Sequence, residues 1–220
     1  MSARYTAART SVRTAGIMVL FTMAFTALMS GTFELTRPAI EASALEGKMR
    51  LIREVLPPSS YDNVLIEDSV ALGPTPELGL DQGGHVFRAR LAGQPAALVM
   101  EVVAPDGYAG RIQLVMAVGV DGRVSGVRVT GHRETPGLGD YIDPNKDRNK
   151  SQPWIGQFTG VSFTDVGLDK WKVKRDGGIF AYRSGATISA RAVTNATARA
   201  VDYAIRQRDA LFAVQAGGRL

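Results

Sequence analysis

The rhythm of apolar positions changes several times along the chain, and each change marks an element. From Thr14 to Phe33 twenty residues pass without a charge, TAGIMVLFTMAFTALMSGTF. As a helix they cover about 30 Å at about 1.5 Å per residue, the thickness of a bilayer's hydrocarbon core. The four threonines and one serine among them can bond to carbonyls one turn back, so they are compatible with a membrane span. A cleaved signal peptide is the rival reading, with an apolar core of about 7–15 residues and an A-x-A-like site after it. Here the run is longer, and Leu28 and Met29 interrupt the small residues, which favours a retained anchor. A buried core helix would need a polar face, and the run has none. Arg4, Arg9 and Arg13 precede the run while Glu34 and Arg37 follow it. The positive-inside rule therefore puts the N-terminus in the cytoplasm and everything after residue 34 outside.

Beyond the run the period shortens to that of an amphipathic helix. Thr36 and Pro38 open it, Leu45, Met49, Ile52 and Leu56 follow at helical spacing, and Pro57-Pro58 ends it. Residues 59–84, rich in Pro, Gly and acids, read as a loop or short strands. Val86–Leu91 and Ala96–Val103 then form two strands around Gly93-Gln94. The clearest alternation is Ile112, Leu114, Met116, Val118 and Val120; Asp121-Gly122 makes a hairpin turn, and Val124, Val127 and Val129 lie in the returning strand. Residues 131–153 are longer than a plain connector, and such loops are usually functional or disordered. Gly177–Tyr182 reads as a last short strand. From Ile188 to Phe212 the spacing of Ile188, Val193, Ala196, Ala200, Val201, Ala204 and Ile205 predicts a long amphipathic helix. The expected fold is α+β: one N-terminal transmembrane helix, then one exported domain with an antiparallel sheet and a long C-terminal helix. The boundaries are 1–13 for a cytoplasmic N-terminus, 14–33 for the span, 34–58 for a stalk helix, 59–212 for the domain and 213–220 for a tail.

Composition removes several chemistries. There is no Cys, which excludes zinc–thiolate sites, iron–sulfur clusters and thiol catalysis. His85 and His132 are the only histidines, so no metal centre is expected. The net charge of +5 suggests nucleic acid until it is divided along the chain. Arg4, Arg9 and Arg13 are the only charges in residues 1–33, and beyond them 23 basic residues face 21 acidic ones. No basic stripe suited to a phosphate backbone remains, and nucleic acid is not an expected partner. G-x-S-x-G, P-loop and dinucleotide fingerprints are absent, and no catalytic residue is nominated. Asp140, Asp143 and Asp147 lack the spacing of an EF-hand and are expected to form a solvated loop.

Two short segments carry candidate chemistry. Ser184-Gly185-Ala186-Thr187 precedes the long helix, where small residues leave room for a bulky group and free amides suit a phosphate. A hydroxyl there serves as a helix cap, a phosphate ligand or a covalent attachment point, and the cap is the commonest of the three. The second segment runs from His132 to Asp140, HRETPGLGD, whose Pro136 and glycines can fix a tight loop. On physical grounds alone His132 and Glu134 read as solvated residues at a strand end. Trp154, Phe158 and Trp171 are expected in the core, with ring stacking on a ligand as the second option. Tyr108 and Gly110, in the Pro105-Asp-Gly-Tyr-Ala-Gly turn, are expected to serve the fold.

SGATISARAV and the upstream HRETPGLGD together resemble the flavin-binding domain of the G subunit of the Rnf electron-transport complex, over roughly residues 58–205. The C subunit of the sodium-pumping NADH:quinone reductase is a close relative; it is usually longer, and 220 residues favour the Rnf protein. The resemblance implies that Thr187 carries FMN through a phosphoester installed by a separate flavin transferase, with Ser184, Gly185 and Ala186 completing the attachment motif. It implies flavin contacts from Glu134, Thr135, Leu138 and Gly139. It further implies a single-pass inner-membrane subunit, in contact with lipid and with other Rnf subunits, whose periplasmic domain relays electrons in an ion-translocating ferredoxin:NAD oxidoreductase and has no turnover alone. Many members carry Asp three residues before the Ser of the motif, where this chain has Ala181. That departure keeps a flavin-free, membrane-anchored assembly or binding protein as an alternative of a different class.

Overall fold

A computed structural model of the chain describes residues 2–220, without the side chains of residues 2–6, 41, 44, 45 and 48. The side chains of Arg4 and Leu45, named in the patterns above, lie outside those described. Residues 1–49 and 50–220 form two compact units. The first is the body of helix α1 (Ser2–Val55), whose stretch Ala7–Ile40 is long and apolar enough to cross a membrane. Thr14, Thr22 and Thr32 each return their hydroxyl to the carbonyl four residues earlier, at 3.0, 2.9 and 2.7 Å. No polar group of these side chains is therefore left to face hydrocarbon unpaired. Pro38, expected to open a second helix, instead lies inside α1. Thr36 likewise bonds back to the Thr32 carbonyl, at 2.8 Å.

The second unit is built on a five-stranded sheet in the order β1 (Ser69–Leu72), β2 (Gly84–Leu91), β3 (Gln94–Gly107), β4 (Gly110–Gly119) and β5 (Val124–Gly131). Every neighbouring pair is antiparallel, with Val86 opposite Met100, Met100 opposite Met116, and Met116 opposite Val127. The β4–β5 turn is the Asp121-Gly122 hairpin read from the sequence, with Gly122 at φ +77°. Alternation sorts the two faces. Leu98, Met100, Val102, Leu114, Met116 and Val118 belong to the main core with Val193, Ala196, Ala200, Val201 and Ala204 of helix α3 (Thr187–Ala213). The alanines of α3 allow a close approach to the sheet.

Phe87, Ala89, Ala97, Val99, Val115 and Ala117 point to the opposite face and are buried there as well. The last turn of α1 meets this face, with Ile52, Val55 and Leu56 buried. Contact is possible because position 126 is glycine: a Cβ there would stand 2.7 Å from the Val55 carbonyl oxygen and 2.8 Å from its Cα. Arg88, only 2 % exposed, closes the far end of α3 by pairing with Asp68 and donating to the Leu211 carbonyl at 2.9 Å and to the Val214 carbonyl. A cation at a helix C-terminus is favourable, and here it also satisfies carbonyls the helix leaves free. The tail is tied down too. Gly217 donates to Ser69 at 2.8 Å and Leu220 to Ala71 at 3.0 Å, so residues 217–220 cover the open edge of β1.

Two local expectations change, and one element is added. Gly177–Tyr182 is not a strand, and only an isolated bridge joins Phe180 to Val173. Gly178 presses against the Lys172 carbonyl, so the segment folds back on its neighbour before a ladder can form. Ile188 and Ile205 are 44 % and 47 % exposed, because at about 3.6 residues per turn both fall outside the buried stripe of α3. A short helix α2 (Phe163–Val166), capped by the Ser162 hydroxyl, is not announced by the apolar pattern.

Candidate functional site

The start of α3 lacks the ordinary device for ending a helix. Its N-cap is Ala186, at φ −134° and ψ 39°, which has no side chain to offer the first amides. Neither Ser184 nor Thr187 is therefore the cap. Thr187 is the first helical residue and is buried, whereas Ser184 is exposed in the preceding turn. Among the described residues no protein group bonds the Thr187 hydroxyl. The contrast with α2 is direct, since there Ser162 accepts from the Asp165 amide at 3.3 Å.

Beside this helix start lies a cleft of about 110 Å³ lined by Tyr108, Glu134, Thr135, Leu138, Gly139, Gly185, Ala186 and Ile188. Six of the eight residues singled out in the sequence thus meet around one space, although Glu134–Gly139 and Gly185–Ala186 are far apart in the chain. The 134–139 loop is tight: Leu138 and Gly139 both donate to the Thr135 carbonyl at 3.1 Å, and Gly137 takes φ +74°. Glu134, 4 % exposed, joins the walls. One carboxylate oxygen accepts from the Ala109 amide at 3.1 Å, at the tip of the β3–β4 hairpin; the other accepts from the Ser189 hydroxyl in the first turn of α3. Its own amide donates to His132 Nδ1 at 3.1 Å. A negative group beside a helix N-terminus is electrostatically favoured. Gly139 makes room for the clasp, since a Cβ there would lie 2.7 Å from Ser189 Oγ and 2.8 Å from Glu134 Oε2.

A second buried acid lies behind the Arg183–Ala186 turn. Asp147, expected in a solvated loop, is 1 % exposed and pairs with Arg183. It also accepts from the amides of Trp154 at 2.7 Å and Asn149 at 2.9 Å. Burial alone would raise its carboxyl, but these two amides and Arg183 outweigh burial and hold it below the usual carboxylate range. The Arg183 guanidinium lies 4.6 Å over the Tyr141 ring, and burial pushes the Tyr141 phenol up. Trp154, Phe158 and Trp171 are core residues in one run of ring contacts, from Tyr141 through Trp154, Phe158 and Phe180 to Trp171. Tyr108, expected to serve only the fold, lines the cleft and is 65 % exposed, while Gly110 turns the hairpin at φ +110°. Ser189, Tyr141 and the Asp147–Arg183 pair escape the sequence reading. The single available signal for Ser189 is its place in the first turn of a helix whose preceding residue cannot cap.

A helix start without a cap, a glycine-lined cleft and a buried carboxylate thus meet at one place in the fold. Residues 107–202 match the FMN-binding domain and residues 1–55 match the RnfG N-terminal region. The G subunit of the ion-translocating oxidoreductase complex of Vibrio atlanticus is 38 % identical over 197 residues, covering 90 % of this chain and 91 % of the relative. Its namesake in Pseudomonas aeruginosa is 39 % identical over 205 residues, 93 % of this chain and 94 % of its own. That of Salmonella typhimurium is 41 % identical over 196 residues, 88 % and 91 % respectively. The chain belongs to this family, the G subunits of ion-translocating oxidoreductase complexes. Its residues fit FMN, with unpaired amides and a free hydroxyl at the α3 start for a phosphate, and bare backbone at Gly185 for a flat ring.

Proposed function

We propose that the chain is the flavin-carrying electron-transfer subunit of an ion-translocating ferredoxin:NAD oxidoreductase, with FMN joined to Thr187 by a phosphoester. One observation carries the proposal: a free threonine hydroxyl begins a helix that has no cap, beside a cleft walled by both sequence motifs. A phosphate ester on Thr187 keeps a negative charge, which the free amides and the dipole of a 27-residue helix favour. Gly185 lets backbone lie against the ring, while Tyr108, Leu138 and Ile188 give the cleft an apolar mouth. Glu134 holds the hairpin tip, the loop and the helix in register around it. When bound, the FMN supplies one-electron chemistry, and the chain supplies its orientation and surroundings. Thr187 is an anchor in this scheme, and a covalent tether prevents loss of the flavin outside the membrane.

The names of the relatives support a place among other subunits of the complex. Arg4, Arg9 and Arg13 before the uncharged run support a cytoplasmic N-terminus and a periplasmic domain on an inner-membrane anchor in contact with lipid. A flavin transferase is the partner that attachment requires. In-gel flavin fluorescence after denaturation tests the reading, with wild type and Thr187→Ala each co-expressed with an active transferase. A fluorescent wild-type band that disappears in the variant is the expected result. A dark wild-type band, or a variant that still fluoresces, refutes the attachment.

A further inference from the structure

Tyr141 belongs by sequence to the end of one motif and by hydrogen bonding to the other. Its hydroxyl accepts from the Arg183 amide at 3.2 Å and donates to the Ala186 carbonyl, also at 3.2 Å. The Ala186 amide in turn donates to the Arg183 carbonyl at 3.1 Å. Arg183 and Ala186 are thus the two ends of a turn closed once directly and once through an inserted phenol. Ser184 and Gly185, the latter at φ +86°, form its exposed tip.

The insertion has a consequence for where α3 begins. Ala186 is held at φ −134°, outside helical geometry, yet alanine is the strongest helix former and has no capping group of its own. The Tyr141 hydroxyl is the side-chain group that holds its carbonyl. Tyr141 in turn is fixed from several sides: it is 1 % exposed, meets Trp154 edge to face at 5.4 Å, and lies beneath the Arg183 guanidinium that Asp147 anchors. Just upstream of the turn the chain is pinned again. The Ala181 carbonyl accepts from Trp154 Nε1 at 2.7 Å and its amide donates to Gln157 at 2.7 Å.

The geometry points to Tyr141 as a positioning residue for flavin attachment: its hydroxyl stops α3 from extending through Ala186 and so presents Thr187 as the first helical residue beside unpaired amides. Without that hydroxyl the bridge from the Arg183 amide to the Ala186 carbonyl is lost, Ala186 can join the helix, and Thr187 no longer stands at the boundary. The inference rests on Thr187 as the attachment point.

The test compares full-length wild type, Tyr141→Phe and Thr187→Ala in detergent, each supplied with flavin transferase and flavin adenine dinucleotide; the Thr187 oxygen bonds to the FMN phosphorus as the pyrophosphate bond breaks, AMP leaves and the hydroxyl proton passes to solvent. Covalent fluorescence is followed in time at several chain concentrations, with hydrogen exchange measured on the flavin-free proteins. Phe keeps the ring and its packing and loses the hydroxyl alone. The expected result is a maximal attachment rate about fivefold lower, the scale of one hydrogen bond, with an unchanged half-saturating concentration. Exchange should change at Arg183 to Ser189 only, with the body of α3 as protected as in wild type. Attachment at the wild-type rate overturns the inference. Slower attachment together with lost protection throughout α3 also overturns it, because Tyr141 then acts through stability. A fluorescent Thr187→Ala, or a dark wild type, instead refutes the attachment itself and removes the basis of the inference.

Discussion

Replacing Glu134 with Ala removes the group that ties three separate segments together, and the cost follows from the exposure of each partner. Ala109 lies at an exposed hairpin tip, so water can take over its amide at little expense. Ser189 is 1 % exposed and loses its acceptor in a place water reaches poorly, worth about 1.5–3 kcal/mol for a bond to a charged group. Loss of negative charge beside the first turn of α3 adds about 0.3–1 kcal/mol. Together these give about 3 kcal/mol. For a unit of this size each kcal/mol shifts the melting midpoint by about 2–4 °C, so the expected drop is about 6–12 °C. Glu134→Gln should lose far less, since the amide can give its oxygen to Ala109 and its NH₂ to Ser189 Oγ. The assay is tryptophan emission during heating of the flavin-free full-length chain, because Trp154 and Trp171 are both buried in the main core. A Glu134→Ala midpoint within about 2 °C of wild type, no more than the shift expected for about 1 kcal/mol, would refute the clasp.

Gly126→Ala should destabilise the second unit by about 1–3 kcal/mol through overpacking, since the new Cβ would stand 2.7 Å from the Val55 carbonyl; denaturant midpoints of the two proteins decide it. The Asp147 carboxyl is held below its usual range, so its stabilisation is complete above the unfolded value of about 3.9 and is lost as pH falls through the folded value. Asp147→Asn should accordingly lower stability at pH 7, and the gap from wild type should narrow below about pH 4. A gap of constant size at both pH values would contradict the pairing.

What the sequence discloses depends on how local each cause is. The membrane-type run and the β4–β5 hairpin are legible because uncharged length, two-residue alternation and Asp-Gly turn chemistry act between near neighbours. The two halves of the cleft are legible as motifs by resemblance, but their meeting is not, because Glu134 and Ser189 are 55 residues apart. Burial of an acid is hidden for the same reason. Asp147 looks like a loop residue until Arg183, 36 residues on, folds over it. Arg88 is a stronger case, a charge in a strand whose partners lie 123 residues later at the end of a helix. The proline at 38 misleads in the other direction, since a local breaker is overridden by helical sequence on both sides.

Helix α3 covers one face of the sheet and supplies the cleft with its last wall, and all of it lies downstream of every strand. In a chain made from its N-terminus the sheet, the hairpin tip and the 134–139 loop therefore exist before the residues that complete the cleft. A product ending short of residue 185 would retain all five strands but none of the Gly185–Ile188 side of the cleft, and its Glu134 would lack Ser189. Completion of the cleft is thus a late event, open only to chains whose synthesis has gone nearly to the end.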